Sequence, residues 1–594
     1  MDKQSIIGFI LIGAVIFAWM LFQAPPAPEP NQRVAADSAL ALRPETARSV
    51  PAPVAEPAPA PVDTLGRFFA HRAAGREKVL IVRTDRYTAE ITTRGALVRK
   101  WELKDFRTWN GFPVQLVDMD QGGDFSLLFN TTDGKQVDTR GLYFDAGYQP
   151  WTTVELTGSD SLSVEFTLPV SDVAKVVKRY TFRNGEYTLR ADVAFLNMQD
   201  VVGNFEYRIL WETGLHYAEE NSVDESSYAM AYASLAGEVA ESDAKPNEPA
   251  QLSMDGTTDW VATRTKYFAL AMIPEAGKSQ GVELSGVSTP QPNHGQHETY
   301  AVGLKMPFRG GTDERASVQV FLGPLDLDVV RPLGGGLEKI MSLGAAVIIR
   351  PIAEYVMMPL LRFLRMFIPN WGVVILVFSL IIKLALHPLT KTQMTSMRKM
   401  QALSPMMEEI RTKYKDDPEK MNQQVLNLYR EYGVNPASGC LPLLMQLPIL
   451  YALFVVFRSS IDLRQAPFVA WITDLSIPDV VVRLPFQIPL FGIAEISGLA
   501  LAMGITMFIQ QKMTVTDPRQ KAMVWMMPIL MTLMFTTLPS GLNLYYFTFN
   551  LLSIVQQYFV NQQHKNEPLR KVDPKKRGGG IMERLARDLP KMKR

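Results

Sequence analysis

The sequence has one cysteine among 594 residues, Cys440, and it lies at the start of an apolar segment. An intramolecular disulfide is therefore impossible, and no cysteine near the N-terminus carries a lipoprotein anchor. The histidines of the central region have the spacing of neither a metal site nor an acid–base pair; they are His71, His216, His294 and His297. A phosphate-binding loop motif is also absent. We therefore predict no metal, no other cofactor and no catalytic residue.

The chain also lacks an excess of charge, since 61 Lys and Arg residues balance 60 Asp and Glu residues and the net charge is +1. The charges are segregated along the chain, so this balance indicates no class of partner. A hydrophobic content of 47% with only 20% charged residues suits a protein that lies partly in a membrane. The length allows more than one domain.

A continuous apolar run from Ile6 to Phe22 follows a single Lys3 and fits either a cleaved signal peptide or a retained anchor. The run ends in large residues and prolines, where a cleavage site needs small residues. We therefore predict an N-terminal transmembrane anchor over residues 1–23. The Pro- and Ala-rich stretch 24–64 has no apolar periodicity, which predicts a semi-extended, disordered linker.

Residues 65–325 contain short runs rich in Val, Ile, Tyr and Thr, separated by Gly, Asn and Asp. This pattern predicts many strands with no long helices between them. The clearest hairpin joins a run that begins at Lys175 to one that begins at Tyr187, with Asn184-Gly185 at the tight turn. We predict a large antiparallel β-sandwich domain.

Residues 326–369 show another pattern, which we interpret as a linker followed by an interfacial helix. From Leu337 to Met366, apolar residues surround six charged residues, which favours an amphipathic helix lying along a membrane surface. A linker helix that simply packs on protein is the alternative.

A single full charge, Lys383, lies inside the apolar run from Trp371 to His387, which is long enough to enter a bilayer and ends at Pro388. At about 1.5 Å per residue, Lys383 lies roughly 18 Å from Trp371 and about 6 Å from His387, within one leaflet. A cation at that depth indicates function, unless its side chain snorkels to the interface. Ser379, one turn earlier on the same face, favours a polar groove.

The stretch 389–438 is polar and predicts a helical hairpin. Its second helix begins at Asp417-Pro418, with the acid as N-cap and the proline at N1, and Gly433 ends it. A Met-rich stripe on the first helix fits either a soft surface for partner or client helices or an apolar seam that holds the hairpin together. The stripe consists of Met394, Met397, Met400, Met407, Ile410 and Tyr414.

Four further apolar segments, together with Trp371–His387, predict a five-span helical core over residues 370–561. They run from Leu441 to Phe457, from Ile496 to Ile509, from Ala522 to Leu538 and from Leu542 to Val560. Gln446 and two prolines interrupt the second span, which is tolerated where a helix faces protein or water. Tyr545 and Tyr546 in the last span fit either an interfacial aromatic belt or one end of a groove.

Basic residues determine the predicted orientation. The hairpin region contains eight Lys and Arg residues, the loop 512–521 three and the tail 562–594 eleven, whereas the loop 459–497 has two. Both termini and the hairpin are therefore predicted to be cytoplasmic, and the β domain periplasmic. The basic tail fits electrostatic binding to ribosomal RNA or anionic lipid, and equally a simple positive-inside anchor.

Several motifs occur in an order and spacing found in one family of membrane proteins. They are Asn370-Trp-Gly, Pro388-Leu-Thr-Lys, Asn435-Pro, Gly439-Cys-Leu-Pro-Leu-Leu-Met-Gln-Leu-Pro, Leu463-Arg-Gln-Ala-Pro-Phe, Trp471-Ile-Thr-Asp-Leu and Pro539-Ser-Gly-Leu-Asn-Leu-Tyr-Tyr. The chain resembles the YidC/Oxa/Alb membrane protein insertases, in the form found in Gram-negative bacteria. The resemblance extends across the whole chain and is most specific between Asn370 and Val560.

This resemblance implies a multi-pass protein of the inner membrane with a retained N-terminal anchor. It also implies that the periplasmic domain is a β-supersandwich similar to that of sugar mutarotases. The chain departs from the family at one position, because the family usually has Arg where this chain has Lys383. Lys is also a cation, but it lacks the planar fork of Arg.

We therefore expect an insertase and chaperone whose five-span core encloses a hydrophilic, cationic groove that is open to the cytoplasm. The groove would receive client segments and release them laterally into the membrane. Its expected lining is Lys383, Ser379, Gln446, Tyr545 and Tyr546. Nascent membrane proteins are the predicted clients. The predicted partners are the Sec translocon, membrane lipids and the ribosome, the last through the hairpin and the basic tail.

Two other classes of function are the alternatives. A secondary transporter or channel needs ion-coordinating carboxylates at the bilayer midplane and often has repeated halves, and the sequence shows neither. A membrane-anchored periplasmic carbohydrate-binding protein or enzyme is suggested only by the likeness of its expected fold to that of mutarotases.

Overall fold

The computed structural model describes residues 65–117, 119–292, 295–434, 441–488, 492–514, 521–563 and 571. The predicted anchor, the Pro- and Ala-rich linker, Cys440 and nearly all of the basic tail lie outside the described residues. The chain divides into two compact units, one ending at Met341 and the other beginning at Ser342. The first is built mainly of strands and the second mainly of helices.

The described part of the first unit contains twenty strands and three short α-helices. The strands are β1 (Val79–Arg83), β2 (Tyr87–Thr92), β3 (Val98–Arg107), β4 (Pro113–Gln115), β5 (Ser126–Thr131), β6 (Gln136–Asp138), β7 (Asp145–Ala146), β8 (Thr152–Glu155), β9 (Ser161–Pro169), β10 (Lys175–Arg183), β11 (Thr188–Leu196), β12 (Val202–Trp211), β13 (Met230–Leu235), β14 (Glu238–Ser242), β15 (Ala250–Asp255), β16 (Thr258–Arg264), β17 (Phe268–Pro274), β18 (Gly281–Gln291), β19 (Gly295–Pro307) and β20 (Asp313–Pro324). The helices are α1 (Gly66–Phe69), α2 (Ser222–Ser226) and α3 (Leu327–Val330).

These strands form three sheets. The largest has nine strands in the order β14-β13-β16-β17-β20-β11-β10-β9-β7. A six-stranded sheet has the order β15-β18-β19-β12-β5-β6, and a five-stranded sheet has the order β4-β3-β2-β1-β8. All pairs are antiparallel except β1 with β8, which runs parallel from Leu80↔Thr152 to Arg83↔Glu155. The expected sandwich is therefore antiparallel throughout except at this edge, where a long connection returns the chain in the same direction.

Both smaller sheets pack against the nine-stranded sheet. Phe195 of β11 contacts Phe129 of β5 and Tyr207 of β12, with ring centroids 5.6 and 4.6 Å apart. Trp101 of β3 donates its indole N–H to the carbonyl oxygen of Leu322 on β20 at 3.0 Å. These five side chains are buried, so the prediction of a β-sandwich is confirmed.

The predicted hairpin at Asn184-Gly185 is also confirmed. Strands β10 and β11 pair from Lys175↔Leu196 to Phe182↔Leu189, and Gly185 takes the positive φ of 81° that the tight turn needs. Lys178 of β10 is fully buried and donates to the carbonyl oxygens of Gly95 (2.8 Å) and Phe125 (2.7 Å). Its ammonium group therefore has a structural role, because it satisfies buried carbonyls of two other segments.

The second unit contains ten described α-helices and a small sheet. The helices are α4 (Ile349–Ile352), α5 (Met358–Phe367), α6 (Trp371–Ala385), α7 (His387–Ala402), α8 (Ser404–Lys413), α9 (Pro418–Glu431), α10 (Leu441–Ser459), α11 (Gly498–Thr514), α12 (Lys521–Phe535) and α13 (Ser540–Gln563). The sheet consists of β21 (Val480–Ile488) and β22 (Ile493–Ser497). Within the part of the chain that the structure describes, no helix has both the length and the apolar character needed to cross a bilayer.

The predicted helical hairpin is present, with its first arm divided at Leu403 into α7 and α8. Helix α9 begins at Pro418, Asp417 accepts a hydrogen bond from the backbone N–H of Lys420 at 3.1 Å, and Gly433 has a φ of 62°. Leu403, Met407, Leu428 and Val434 form its buried core. Met407 of the predicted stripe therefore packs inside the hairpin, as the seam interpretation expects.

One prediction about local structure was wrong. The expected helix from Leu337 to Met366 begins only at Ile349 and contains a π-helical turn from Ala353 to Met357. Gly344, with a φ of 82°, interrupts the pattern before it. Leu337–Ile340 is a separate 3₁₀ turn in the β unit, where Arg264 donates to the Ile340 carbonyl oxygen at 2.7 Å.

The loop 459–497 contains secondary structure that we did not predict. It contains the hairpin of β21 and β22, which pair from Val480↔Ser497 to Ile488↔Ile493. Val480-Val-Val was a strand signal in the sequence. Pro485 and the adjacent apolar residues concealed it, because proline is depleted in strands.

Glu225 provides a test of the packing of the β unit. Its fully buried carboxyl group accepts hydrogen bonds from the backbone N–H groups of Ala218 (3.0 Å) and Glu219 (2.9 Å). Burial raises the pKa of Glu225 from 4.5 to about 7. Between these values the folded protein binds a proton that the unfolded chain has released. The free energy of unfolding is therefore predicted to fall as the pH rises from about 4.5 to about 7.

Thermal unfolding of the full-length protein in detergent, compared at about pH 5 and about pH 7, measures this dependence. Glu225→Gln keeps an oxygen acceptor for both N–H groups but does not titrate, so it should remove this part of the pH dependence. The same pH dependence in the wild type and in Glu225→Gln would contradict the prediction.

Candidate functional site

Lys383 lies on α6 and points towards α13. Asn370 begins α6 by accepting a hydrogen bond from the backbone N–H of Val373 at 3.1 Å, and the helix that follows is apolar up to Lys383. The Lys383 side chain is buried, and its Nζ donates to the Oγ of Ser553 at 2.6 Å. The ammonium group therefore lies between two helices, which the snorkelling interpretation did not expect.

The ring of Phe549 forms a second side of this site. The Lys383 Nζ lies 4.3 Å from the ring centroid, within the range of a cation–π interaction. Ser553 donates its own hydroxyl proton to the Phe549 carbonyl oxygen at 2.7 Å. Among the described residues, no carboxylate lies within the 4.0 Å limit for an ion pair with Lys383. The ammonium group is therefore held by one hydroxyl and one aromatic face.

Ser379 is fully buried one turn before Lys383, as the helical spacing predicted. Its hydroxyl donates to the carbonyl oxygen of Ile375 at 2.7 Å, four residues earlier in the same helix. This bond occupies the hydroxyl proton and leaves the oxygen as a hydrogen-bond acceptor.

The two tyrosines belong to an aromatic column on α13. Tyr545 is buried, lies 6.2 Å from Phe378 of α6 and stacks on Phe549 at 5.8 Å between ring centroids. Tyr546 contacts Phe535 of α12 edge to face, and its buried hydroxyl has no hydrogen-bond partner among the described residues. The column therefore leads from Tyr546 through Tyr545 and Phe549 to the ammonium group.

Gln446 lies apart from this cluster. It is half-buried on α10, a helix that packs against α13. None of the described contacts joins Gln446 to Lys383, Tyr545 or Tyr546. The structure thus brings together four of the five expected residues, and Gln446 is placed only on a neighbouring helix.

A line of polar contacts continues from Lys383 towards the helical hairpin. The Gln556 amide lies 3.1 Å from Thr390 Oγ1 and 3.1 Å from His387 Nδ1. Further along, Arg398 donates to the Val560 carbonyl oxygen at 3.4 Å. Residue numbers increase in the same direction on both sides, so the α6–α7 segment and α13 run parallel. Polar groups line their contact from Lys383 onward.

The other end of the bundle is closed by a network around Asp479. The buried Asp479 carboxyl group accepts hydrogen bonds from the Ser497 hydroxyl (2.5 Å), the Leu499 backbone N–H (2.8 Å) and the Trp471 indole (3.0 Å). Asn543 of α13 donates to the Ser497 Oγ at 3.4 Å. The network therefore ties the loop after α10 to the beginnings of both α11 and α13.

Sequence reasoning missed Ser553, Phe549 and Asp479. Helical spacing contained a signal for the first two, because positions 545, 549 and 553 recur every four residues on the face of Tyr545. No periodic signal marks Asp479, since it lies in a loop and its partners come from distant parts of the chain.

Comparisons with known proteins identify the family. Residues 80–355 match the family model of the YidC periplasmic domain, and residues 363–567 match the model of the 60Kd inner membrane protein. A membrane protein insertase YidC from Chlorobaculum tepidum is 38% identical over 567 residues, covering 94% of this chain and 95% of that protein. The chain belongs to the YidC family of membrane protein insertases.

A second insertase sequence agrees with this assignment. A membrane protein insertase YidC from Chlorobium phaeovibrioides is 39% identical over 567 residues, covering 94% of this chain and 95% of that protein. A crystal structure of an active YidC insertase with its first transmembrane domain resolved is 19% identical and has a TM-score of 0.35, covering 81% of this chain and 95% of that one. The two family models and the two insertase sequences confirm the resemblance seen in the motifs, and this family member is an inner membrane protein with a periplasmic β domain.

The Asp479 network predicts a stability effect in the helical unit. Asp479→Ala removes three hydrogen bonds at a buried position and should lower the free energy of unfolding by roughly 2–4 kcal/mol. Thermal unfolding in detergent measures the change. Asp416→Ala, at an exposed position of the helical hairpin, is the control and should have little effect. If Asp479→Ala were as stable as Asp416→Ala, the Asp479 network would not stabilise this end of the helical bundle.

Proposed function

We propose that this protein receives acidic or polar segments of nascent membrane proteins at the buried Lys383 ammonium group and releases them laterally into the inner membrane. The observation that supports this is the Lys383 environment: a buried cation beside one hydroxyl and one ring, with no described carboxylate within 4.0 Å. An unpaired buried charge is costly, so the site favours an incoming group that carries the opposite charge.

The physical basis is desolvation. A polar or acidic client segment loses its hydration when it enters hydrocarbon, and the cost is several kcal/mol per unsatisfied group. A cationic, polar surface lowers that cost by replacing water with fixed hydrogen-bond partners and with charge attraction. Apolar client segments gain by moving on into lipid, so partitioning and the membrane potential drive the process and no bond is made or broken.

We propose that the hairpin end of the α6–α13 contact faces the cytoplasm and the Asp479 end faces the periplasm. The distribution of Lys and Arg supports this orientation, with eight basic residues in 389–438 and two in 459–497. A client would then meet the polar line at Arg398 and Gln556 before it reaches Lys383. Gln446, on the neighbouring helix α10, would line the same route.

The remaining assignments complete the proposal. Residues 1–23 would form an anchor, 24–64 a linker, 65–325 the periplasmic β domain, 326–369 a linker followed by an interfacial helix that begins at Ile349, 370–561 the five-span insertase core and 562–594 the basic tail. The hairpin within 389–438 and the tail would contact the ribosome, and the core would work beside the Sec translocon. Their basic charge supports binding to RNA and to anionic lipid.

Substitutions of Lys383 test the role of the charge. Lys383→Ala and Lys383→Glu should reduce insertion of clients with acidic translocated tails, the second by about tenfold, which corresponds to about 1.4 kcal/mol. Lys383→Arg keeps the charge and should be tolerated. Insertion is measured by protease protection of a reporter client in cells depleted of their own insertase.

A client whose acidic residues are replaced by neutral ones is the control, and Lys383→Glu should affect it much less. Normal insertion of the acidic client by Lys383→Glu would refute the role of the cation.

Deletion of the hairpin tests its contribution to client delivery. Removal of residues from Met394 to Tyr432 should abolish insertion and leave the remaining helices folded, because the hairpin has its own buried core. Insertion is measured in cells, and thermal stability is measured on the same variant after extraction in detergent. Unchanged insertion would show that the hairpin only connects the helices and takes no part in client delivery.

A further inference from the structure

Ser553 contributes one fixed oxygen to the Lys383 ammonium group. Its hydroxyl proton is committed to the Phe549 carbonyl oxygen at 2.7 Å, so toward Lys383 its oxygen acts as the acceptor at 2.6 Å. Both side chains are buried. Ser553 is therefore positioned to hold the ammonium group by accepting a hydrogen bond from one of its three N–H donors.

Phe549 occupies a second side of the same ammonium group. A ring face at 4.3 Å attracts the cation but has no lone pair that accepts a full hydrogen bond. An ammonium group has three N–H donors, and the described contacts provide one oxygen and one ring face for them. The ring thus lies where a polar side chain would supply a second oxygen.

We propose that Phe549 is a specificity-determining residue and Ser553 a positioning residue of the client site. By withholding a second protein oxygen, Phe549 reserves an ammonium N–H for a single carboxylate oxygen of the client. This proposal rests on the proposed function and adds to it the class of group selected: one carboxylate oxygen, bound end-on to an ammonium proton.

The proposal predicts opposite effects for substitutions at the two positions. Phe549→Ser introduces a hydroxyl beside the ammonium group, which partly satisfies it and weakens its preference for a carboxylate. Ser553→Ala removes the one protein oxygen and strengthens that preference. Damage to packing alone would reduce insertion of all clients in both variants, so a shift in opposite directions distinguishes selectivity from stability.

The experiment uses the full-length protein in cells depleted of their own insertase. Two reporter clients are compared, identical except that the translocated tail carries Asp in one and Asn in the other. The measured quantity is the ratio of Asp-client to Asn-client insertion. Phe549→Ser should lower this ratio at least about threefold, a change comparable to the usual strength of a cation–π interaction. Ser553→Ala should raise the ratio.

Two further variants serve as controls. Phe549→Leu stays apolar and supplies no oxygen, so it should keep the ratio at or above that of the wild type. Phe559→Ser makes the same chemical change at an exposed position of α13 and should leave the ratio unchanged.

The outcomes separate this proposal from the proposed function. If Phe549→Ser and Ser553→Ala leave the ratio at its wild-type value while Lys383→Ala lowers it, the role of Phe549 is refuted and the cationic site stands. If Lys383→Ala also leaves the ratio unchanged, the cationic site itself is refuted. If both α13 variants lower insertion of both clients equally, their role is in packing and the proposal fails.

Discussion

A charged ammonium group lies buried between two helices of the helical unit, and the rest of the unit depends on how that group is held. Burying a cation without a full set of hydrogen-bond or ionic partners costs much free energy. The helices that enclose such a cation must therefore be held together by other contacts. Lys383 has one hydroxyl and one ring, contributed by residues four positions apart on α13. Neither removes the charge. The arrangement therefore keeps the ammonium group fixed in position and chemically unsatisfied, which is what a site that recruits an opposite charge requires.

Other parts of the unit keep α13 in place. The aromatic column from Phe378 through Tyr545 to Phe549 packs α13 against α6 on the side away from the hairpin. At the beginning of α13, Asn543 connects to Ser497 and so to the Asp479 network. The β unit uses its buried charge differently. Lys178 donates to two carbonyl oxygens of the protein, so its ammonium group stabilises the packing and does not need to attract an external partner.

Local patterns predicted the local structure well. Asn184-Gly185 defined a hairpin and Asp417-Pro418 defined a helix start, because turn and cap chemistry depends only on neighbouring residues. Lys383 and Ser379 were found because a charge in an apolar run is conspicuous. Ser553, the partner of Lys383, lies 170 positions away in the sequence, and nothing local indicates which helix would face Lys383. The π-helical turn after Ile352 and the parallel pair of β1 and β8 were missed for the same reason, since both depend on tertiary packing.

The most direct test of the central claim is site-specific photo-crosslinking from position 379, one turn from Lys383, to a nascent client with an acidic tail. Leu384, whose side chain is mostly exposed on the same helix, provides the comparison position. The account predicts crosslinks to the acidic segment from position 379 that disappear with Lys383→Glu. Crosslinks from position 384 alone, or crosslinks from 379 that persist in Lys383→Glu, would contradict it.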